Sequence, residues 1–128
     1  YKKDENNKFK VIKKGQEILD LDTLEHCKEI SDLGIGEIFL NSVDRDGKKN
    51  GYEIELLKKI SQEIKIPIIA CGGAGSWEDM YEVFKKTKCD GIAASNIFHH
   101  VEHSVFLAKE YLHDKSNEFR SPKFEANI

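Results

Sequence analysis

A chain of 128 residues suits one domain with a useful core, but it is too short for a complete (βα)8 barrel, which needs about 250. Its 20 basic and 23 acidic residues intersperse to a net charge of −3, so neither nucleic acid nor an anionic membrane is expected as a partner. No apolar run approaches the ~20 residues of a membrane span, and the polar start does not read as a signal peptide.

The chain is read as one unit, 1–128, with 1–21 a partial loop or hairpin, 22–115 a run of βα units and 116–128 a tail. In the charged segment Tyr1–Gly15 only Phe9, Val11 and Ile12 give a short alternating strand signal. From Asp22 the order is helix, strand, helix, strand, helix, strand, helix. Asp22 with Glu25 predicts a capping box, and Leu24, Cys27 and Ile30 line one face up to Leu33-Gly34. Glu37–Asp44 is strand-like, and a turn-rich loop runs on to Gly51. Ile54, Leu57, Ile60 and Ile64 then repeat at helical spacing. The strand Pro67–Cys71 ends in glycines, and Ser76 caps a helix with Trp77, Met80, Tyr81 and Phe84 inside. A last strand, Gly91–Ser95, precedes a helix carrying Val105, Ala108 and Leu112. The tail Ser116–Ile128 is expected to pack loosely outside. Such alternation with short connections implies parallel strands joined by right-handed crossovers, hence an α/β fold.

The junction Cys71-Gly72-Gly73-Ala74-Gly75-Ser76 carries the strongest chemical signal. Glycines let backbone approach an anion closely, and a following helix start offers unpaired N–H groups and a positive dipole end. Ala94 and Ser95 end the next strand in small residues and could close the same phosphate cradle. Paired phosphate loops after the last two strands recur in (βα) barrels. Asn41-Ser42-Val43-Asp44-Arg45-Asp46-Gly47 also ends a strand, at the side facing the ligand in parallel folds. There Asp46 could act as general acid or base, and Asn41 or Ser42 could bond substrate hydroxyls, although the run also reads as an ordinary charged turn.

No cofactor is expected. Gly73-Ala74-Gly75 lacks the third glycine of a dinucleotide fingerprint, and a calcium loop counted from Asp44 meets Lys49 where glycine is needed. His99, His100 and His103 lack an acidic or thiol partner at matching spacing, so a polar loop or helix start is expected and no metal. The odd, widely spaced Cys27, Cys71 and Cys89 read as buried reduced thiols of a cytoplasmic protein. A nucleophilic Cys71 has no base near it in sequence.

Three motifs in one order then resemble a known family. Gly36–Gly47 followed by Gly51-Tyr52-Glu53 is similar to the sixth strand and loop of imidazole glycerol phosphate synthase cyclase subunits. Ile66–Gly75 resembles their seventh strand and phosphate loop, and Ala93–His99 their eighth strand. The family is a (βα)8 TIM barrel, a lyase that closes the imidazole ring in histidine biosynthesis with ammonia from a glutaminase partner. The resemblance implies that Gly72, Gly73, Ala94 and Ser95 bind a phosphate of the substrate, that Asp46 is catalytic at the barrel mouth with Asn41 and Ser42 beside it, and that Glu37 belongs to an ammonia gate at the opposite end. Asn41 departs from the family's usual threonine.

The family's two essential aspartates, at the ends of its first and fifth strands, match no position here, while Tyr1-Lys2-Lys3 resembles the residues immediately after the second. The chain is therefore expected to be the C-terminal half-barrel, inactive alone, with open edges and an apolar lumen that favour pairing with the missing N-terminal half or self-association. Phe98–Ser104 and Phe119–Pro122 also resemble cyclase-like paralogues thought to supply ammonia for sugar amidation in surface-glycan pathways. A non-catalytic phosphate-binding module is a third reading.

Overall fold

The computed structural model describes residues 1–14, 17–99 and 102–122. Strands β1 (Lys2–Lys3), β2 (Phe9–Lys13) and β3 (Glu17–Asp22) form an antiparallel meander in that order. Asp4 turns the chain between β1 and β2 by accepting the N–H groups of Asn6 and Lys8. The strand β3 goes beyond the single strand signal of the sequence. Only Leu19 of its six residues is even half-buried, so the pattern carries no alternation. Pairing with β2 and packing on the next helix hold it instead.

Helix α1 (Thr23–Asp32) begins as expected at Asp22, whose carboxylate accepts the N–H groups of Leu24 at 3.0 Å and Glu25 at 3.1 Å. Only this half of the expected capping box forms. The Glu25 carboxylate turns to Lys28 at 3.0 Å, an exposed pair. Gly34, with φ +84°, supplies the left-handed residue that ends the helix.

Strands β4 (Ile38–Asn41), β5 (Ile68–Cys71) and β6 (Gly91–Ile92) form the expected parallel sheet, in chain order, with Ile38 beside Ile68 and Ile69 beside Gly91. The strands are shorter than the sequence suggests. Arg45 and Asp46 both donate N–H bonds to the Ser42 carbonyl, so the chain coils into a helical turn before the extended run Glu37–Asp44 predicted by the sequence is complete. Helices α2 (Ile54–Glu63), α3 (Trp77–Lys86) and α4 (Ser104–Lys115) complete the βα units.

Sequential strand order, with the right-handed crossovers that parallel strands take, puts α2 and α3 on one face of the sheet. The helices agree: α1 packs on α2, α2 on α3 and α3 on α4. A doubly wound sheet would divide them between two faces. One wall of a βα barrel is the architecture that results.

The core lies between sheet and helices. Ile38, Leu40, Ile68 and Ala70 point into it from the strands, and Leu57, Ile60 and Val83 from α2 and α3. Each large side chain buried there contributes roughly 1.5–3 kcal/mol. Val83 is fully buried beside the inner-face residues read from the sequence, whereas Val105, expected inside, is 50% exposed. The alternate residues Phe39, Ile69 and Cys71 take the other face, where Phe39 is 57% exposed. Tyr1 extends this sheet: its nitrogen donates to the Asn41 carbonyl at 2.9 Å, and Val43 N–H donates to the Tyr1 carbonyl at 3.0 Å, the pattern of a parallel neighbour. The described part of the tail is anchored more firmly than expected, because the Phe119 ring lies tilted against Phe84 at 4.6 Å and its carbonyl meets His113 Nδ1 at 2.7 Å. Residues 123–128 lie outside the described part.

Candidate functional site

Parallel strands in sequential order bring all their C-terminal ends to one rim. There the loops after β4, β5 and β6 enclose a small cleft of about 30 Å³, lined by Asp46, Gly47, Cys71, Gly72, Gly73, Ala74, Ala94, Ser95 and Asn96. The candidate phosphate residues Gly72, Gly73, Ala94 and Ser95 thus meet, with Asp46 among them, although 49 positions separate Asp46 from Ser95. Cys71 and Asn96 join them. The sequence analysis weighs Cys71 only as a thiol and gives Asn96 no role, yet each adjoins a candidate phosphate residue.

The glycines owe their identity first to loop packing. A Cβ on Gly73 would stand 2.1 Å from the Gly51 carbonyl oxygen, and one on Gly72 2.6 Å from that of Ser42. Both residues also hold positive φ, +94° and +104° in chain order. Gly51 N–H donates to the Gly73 carbonyl at 2.8 Å, so the loop after β4 lies directly on the loop after β5. A side chain at Gly73 would therefore collide with that loop before reaching the cleft.

The start of α3 is closed in part by its own side chains. Asp79 Oδ2 accepts the N–H groups of Gly75 at 2.8 Å and Ser76 at 2.9 Å, while Ser76 Oγ accepts Asp79 N–H at 3.2 Å. This reciprocal capping box occupies the N–H groups of Gly75, Ser76 and Asp79, three of the donors near the helix start. The carboxylate wins because it is built into the first turn and opposes the helix dipole at short range. The loop backbone from Gly72 to Ala74 and the loop from Ala94 to Asn96 line the cleft itself.

Arg45 holds the loop after β4. Its Nε donates to Glu53 Oε2 at 2.8 Å, and its Nη1 donates to the carbonyls of Asn50 at 3.1 Å and Gly51 at 3.3 Å. Glu53 is 8% exposed and takes a second cation, Lys3, at 3.4 Å, so its charge is compensated where it is buried. Asp44 turns away from the cleft and accepts Lys3 N–H at 2.6 Å. These ties fasten the meander to the rim.

Asn41 and Ser42 stand behind the cleft. Asn41 Oδ1 is buried and has no hydrogen-bond partner among the described residues, which leaves an acceptor open at the strand end. Ser42 is 2% exposed, and its hydroxyl bonds the Tyr1 phenol. Glu37 lies exposed before β4, at the far end of the sheet from Asp46. Burial, then the Asp46 charge, push the Cys71 thiol up, so it stays protonated and a poor nucleophile near neutrality.

Of the histidines, His99 Nε2 lies 3.4 Å from Ser95 Oγ, and His103 adopts φ +55° before α4. His100 falls outside the described residues. Among the described residues no cluster of His, Cys, Asp or Glu could hold a metal ion, and no helix is long and apolar enough to cross a membrane.

The sequence compares with known proteins in the same sense. The family model described as histidine biosynthesis protein matches residues 2–104. The chain belongs to this family. Its fold is accordingly a partial (βα)8 barrel, as the one-sided helices require. Imidazole glycerol phosphate synthase subunit HisF of Chlorobium phaeovibrioides is 46% identical over 101 residues, covering 79% of this chain and 40% of the relative. The subunit of the same name from Lachnoclostridium phytofermentans is 42% identical over 112 residues, 87% of this chain and 43% of the relative. That from Clostridium beijerinckii is 42% identical over 116 residues, 90% and 46%. The chain thus spans less than half the length of these curated relatives.

Proposed function

We propose that this chain forms the C-terminal half, with the phosphate-binding pole, of an imidazole glycerol phosphate synthase cyclase subunit. The supporting observation is the meeting of Asp46 with Gly72, Gly73, Ala94 and Ser95 around one cleft at the rim of the sheet. The synthase subunit name carried by the relatives supports the same reading. One phosphate of the substrate rests on backbone N–H groups of the Gly72–Ala74 and Ala94–Asn96 loops and on the Ser95 hydroxyl.

Asp46, exposed at that mouth, is the acid–base group of this half, and the open Asn41 Oδ1 accepts a substrate hydroxyl or N–H. Ser42 supports Asn41 from behind through its bond to Tyr1. The remaining catalytic groups come from the other half of the barrel. Glu37, at the far end of β4, belongs to the entry for ammonia delivered by a glutaminase subunit, in a cytoplasmic assembly. Nothing among the described residues favours the sugar-amidation or non-catalytic readings.

The test uses the complete cyclase with saturating ammonium in place of glutamine. Asp46→Asn should lower kcat by roughly 10²–10⁴ with little change in KM, as loss of a general acid or base does. Turnover at the parental rate would overturn the role of Asp46.

A further inference from the structure

Tyr52 is 4% exposed, and its hydroxyl donates to the Ala93 carbonyl at 2.9 Å, 41 positions along the chain. Its neighbour Gly51 donates its N–H to the Gly73 carbonyl at 2.8 Å. Two consecutive residues therefore reach both walls of the cleft, Gly51 the loop after β5 and Tyr52 the end of the strand that leads into Ala94 and Ser95. Ala93 itself has left the regular strand, held only by its N–H bond to Ala70 at 2.8 Å on the other side. Arg45 fixes the base of this pair by donating to the Gly51 carbonyl and to Glu53.

We infer that Tyr52 is a positioning residue that sets the separation of the two phosphate loops, acting through the Ala93 carbonyl without touching the ligand. The inference rests on the phosphate reading of the cleft. Rigid spacing matters there because backbone donors on two independent loops reach one anion only if their separation is held to a fraction of an ångström. Burial pushes the Tyr52 phenol well above its ordinary value, so it remains a neutral donor across the working pH range.

The experiment titrates inorganic phosphate into the full chain by calorimetry, comparing the parent with Tyr52→Phe and Ser61→Ala. Phenylalanine keeps the ring in its packed place and removes only the donor. Ser61 supplies a matched control far from the cleft, since its hydroxyl donates to the Lys58 carbonyl and accepts Lys88 N–H. Both variants should melt lower than the parent, but only Tyr52→Phe should weaken phosphate, by about tenfold. Phosphate affinity within twofold of the parent in Tyr52→Phe, or an equal loss in Ser61→Ala, would overturn the positioning role. A parent that binds no phosphate would overturn the reading of the cleft and this inference with it.

Discussion

Gly73 shows how loop packing alone can dictate a glycine. Its φ of +104° and a virtual Cβ 2.1 Å from the Gly51 carbonyl oxygen leave no room for any side chain. Gly73→Ala should therefore destabilise by about 2 kcal/mol or more, read as a lower urea midpoint, because a strained φ alone costs on the order of 1–3 kcal/mol. Unchanged stability would show that the two loops separate freely. Cys27 makes a second claim at this scale. Burial pushes its thiol up to about 11 from an ordinary value of 9.0. Between those values the unfolded chain has released the proton and the folded chain has kept it, so stability is complete below pH 9 and falls as pH rises towards 11. Tyr1, Tyr52, Cys71 and Cys89 are shifted upward too and add to the same slope. Cys27→Ala should flatten the alkaline loss of stability in urea melts from pH 8 to 11. An identical slope would contradict its burial.

At the scale of elements, α3 depends on the closed box at its start. Asp79→Ala frees the N–H groups of Gly75 and Ser76 and should cost about 1–2 kcal/mol, within the range of lost N-caps. In Ser76→Ala combined with Asp79→Ala the losses should fall short of additive, because the two side chains form one reciprocal unit; strict additivity in a double-mutant cycle would contradict it. The helices and most of the parallel sheet were legible in the sequence because a buried face writes itself as periodicity: Ile54, Leu57 and Ile60 on α2, Ile68 and Ala70 on β5. The strand β3 was not, since five of its six side chains are exposed, and pairing with β2 and packing on α1 define it. The candidate site was legible as far as its motifs: glycines, small residues and an aspartate at strand ends. The ties between loops were not. Arg45 to Glu53 and Tyr52 to Ala93 are partnerships that only the folded chain brings together, and no local pattern announces them. The closure of the α3 start by Asp79 was visible in the Ser76-to-Asp79 spacing but was outweighed by the glycines before it.

Across the whole molecule, the described helices pack in series along one face of the sheet and the other face presents Phe39, Ile69 and Cys71. A barrel buries that inner face by closing the sheet on itself. The 128-residue chain taken alone should therefore associate in light scattering, whereas a monomer with cooperative unfolding would contradict an interior face. Exposed Val105, Phe106 and Leu107 on α4 mark where the ring of helices continues. In the proposed function the rim and the far end of the sheet take separate duties, anion and acid–base chemistry at Asp46 and Ser95, ammonia entry at Glu37. The most direct test of this arrangement is an amide NMR titration of the full chain with inorganic phosphate. The shifts should concentrate on Gly72, Gly73, Ala74, Ala94, Ser95 and Asn96, with Gly75, Ser76 and Glu37 unmoved. Shifts centred on the α3 start, or none at the rim, would contradict it.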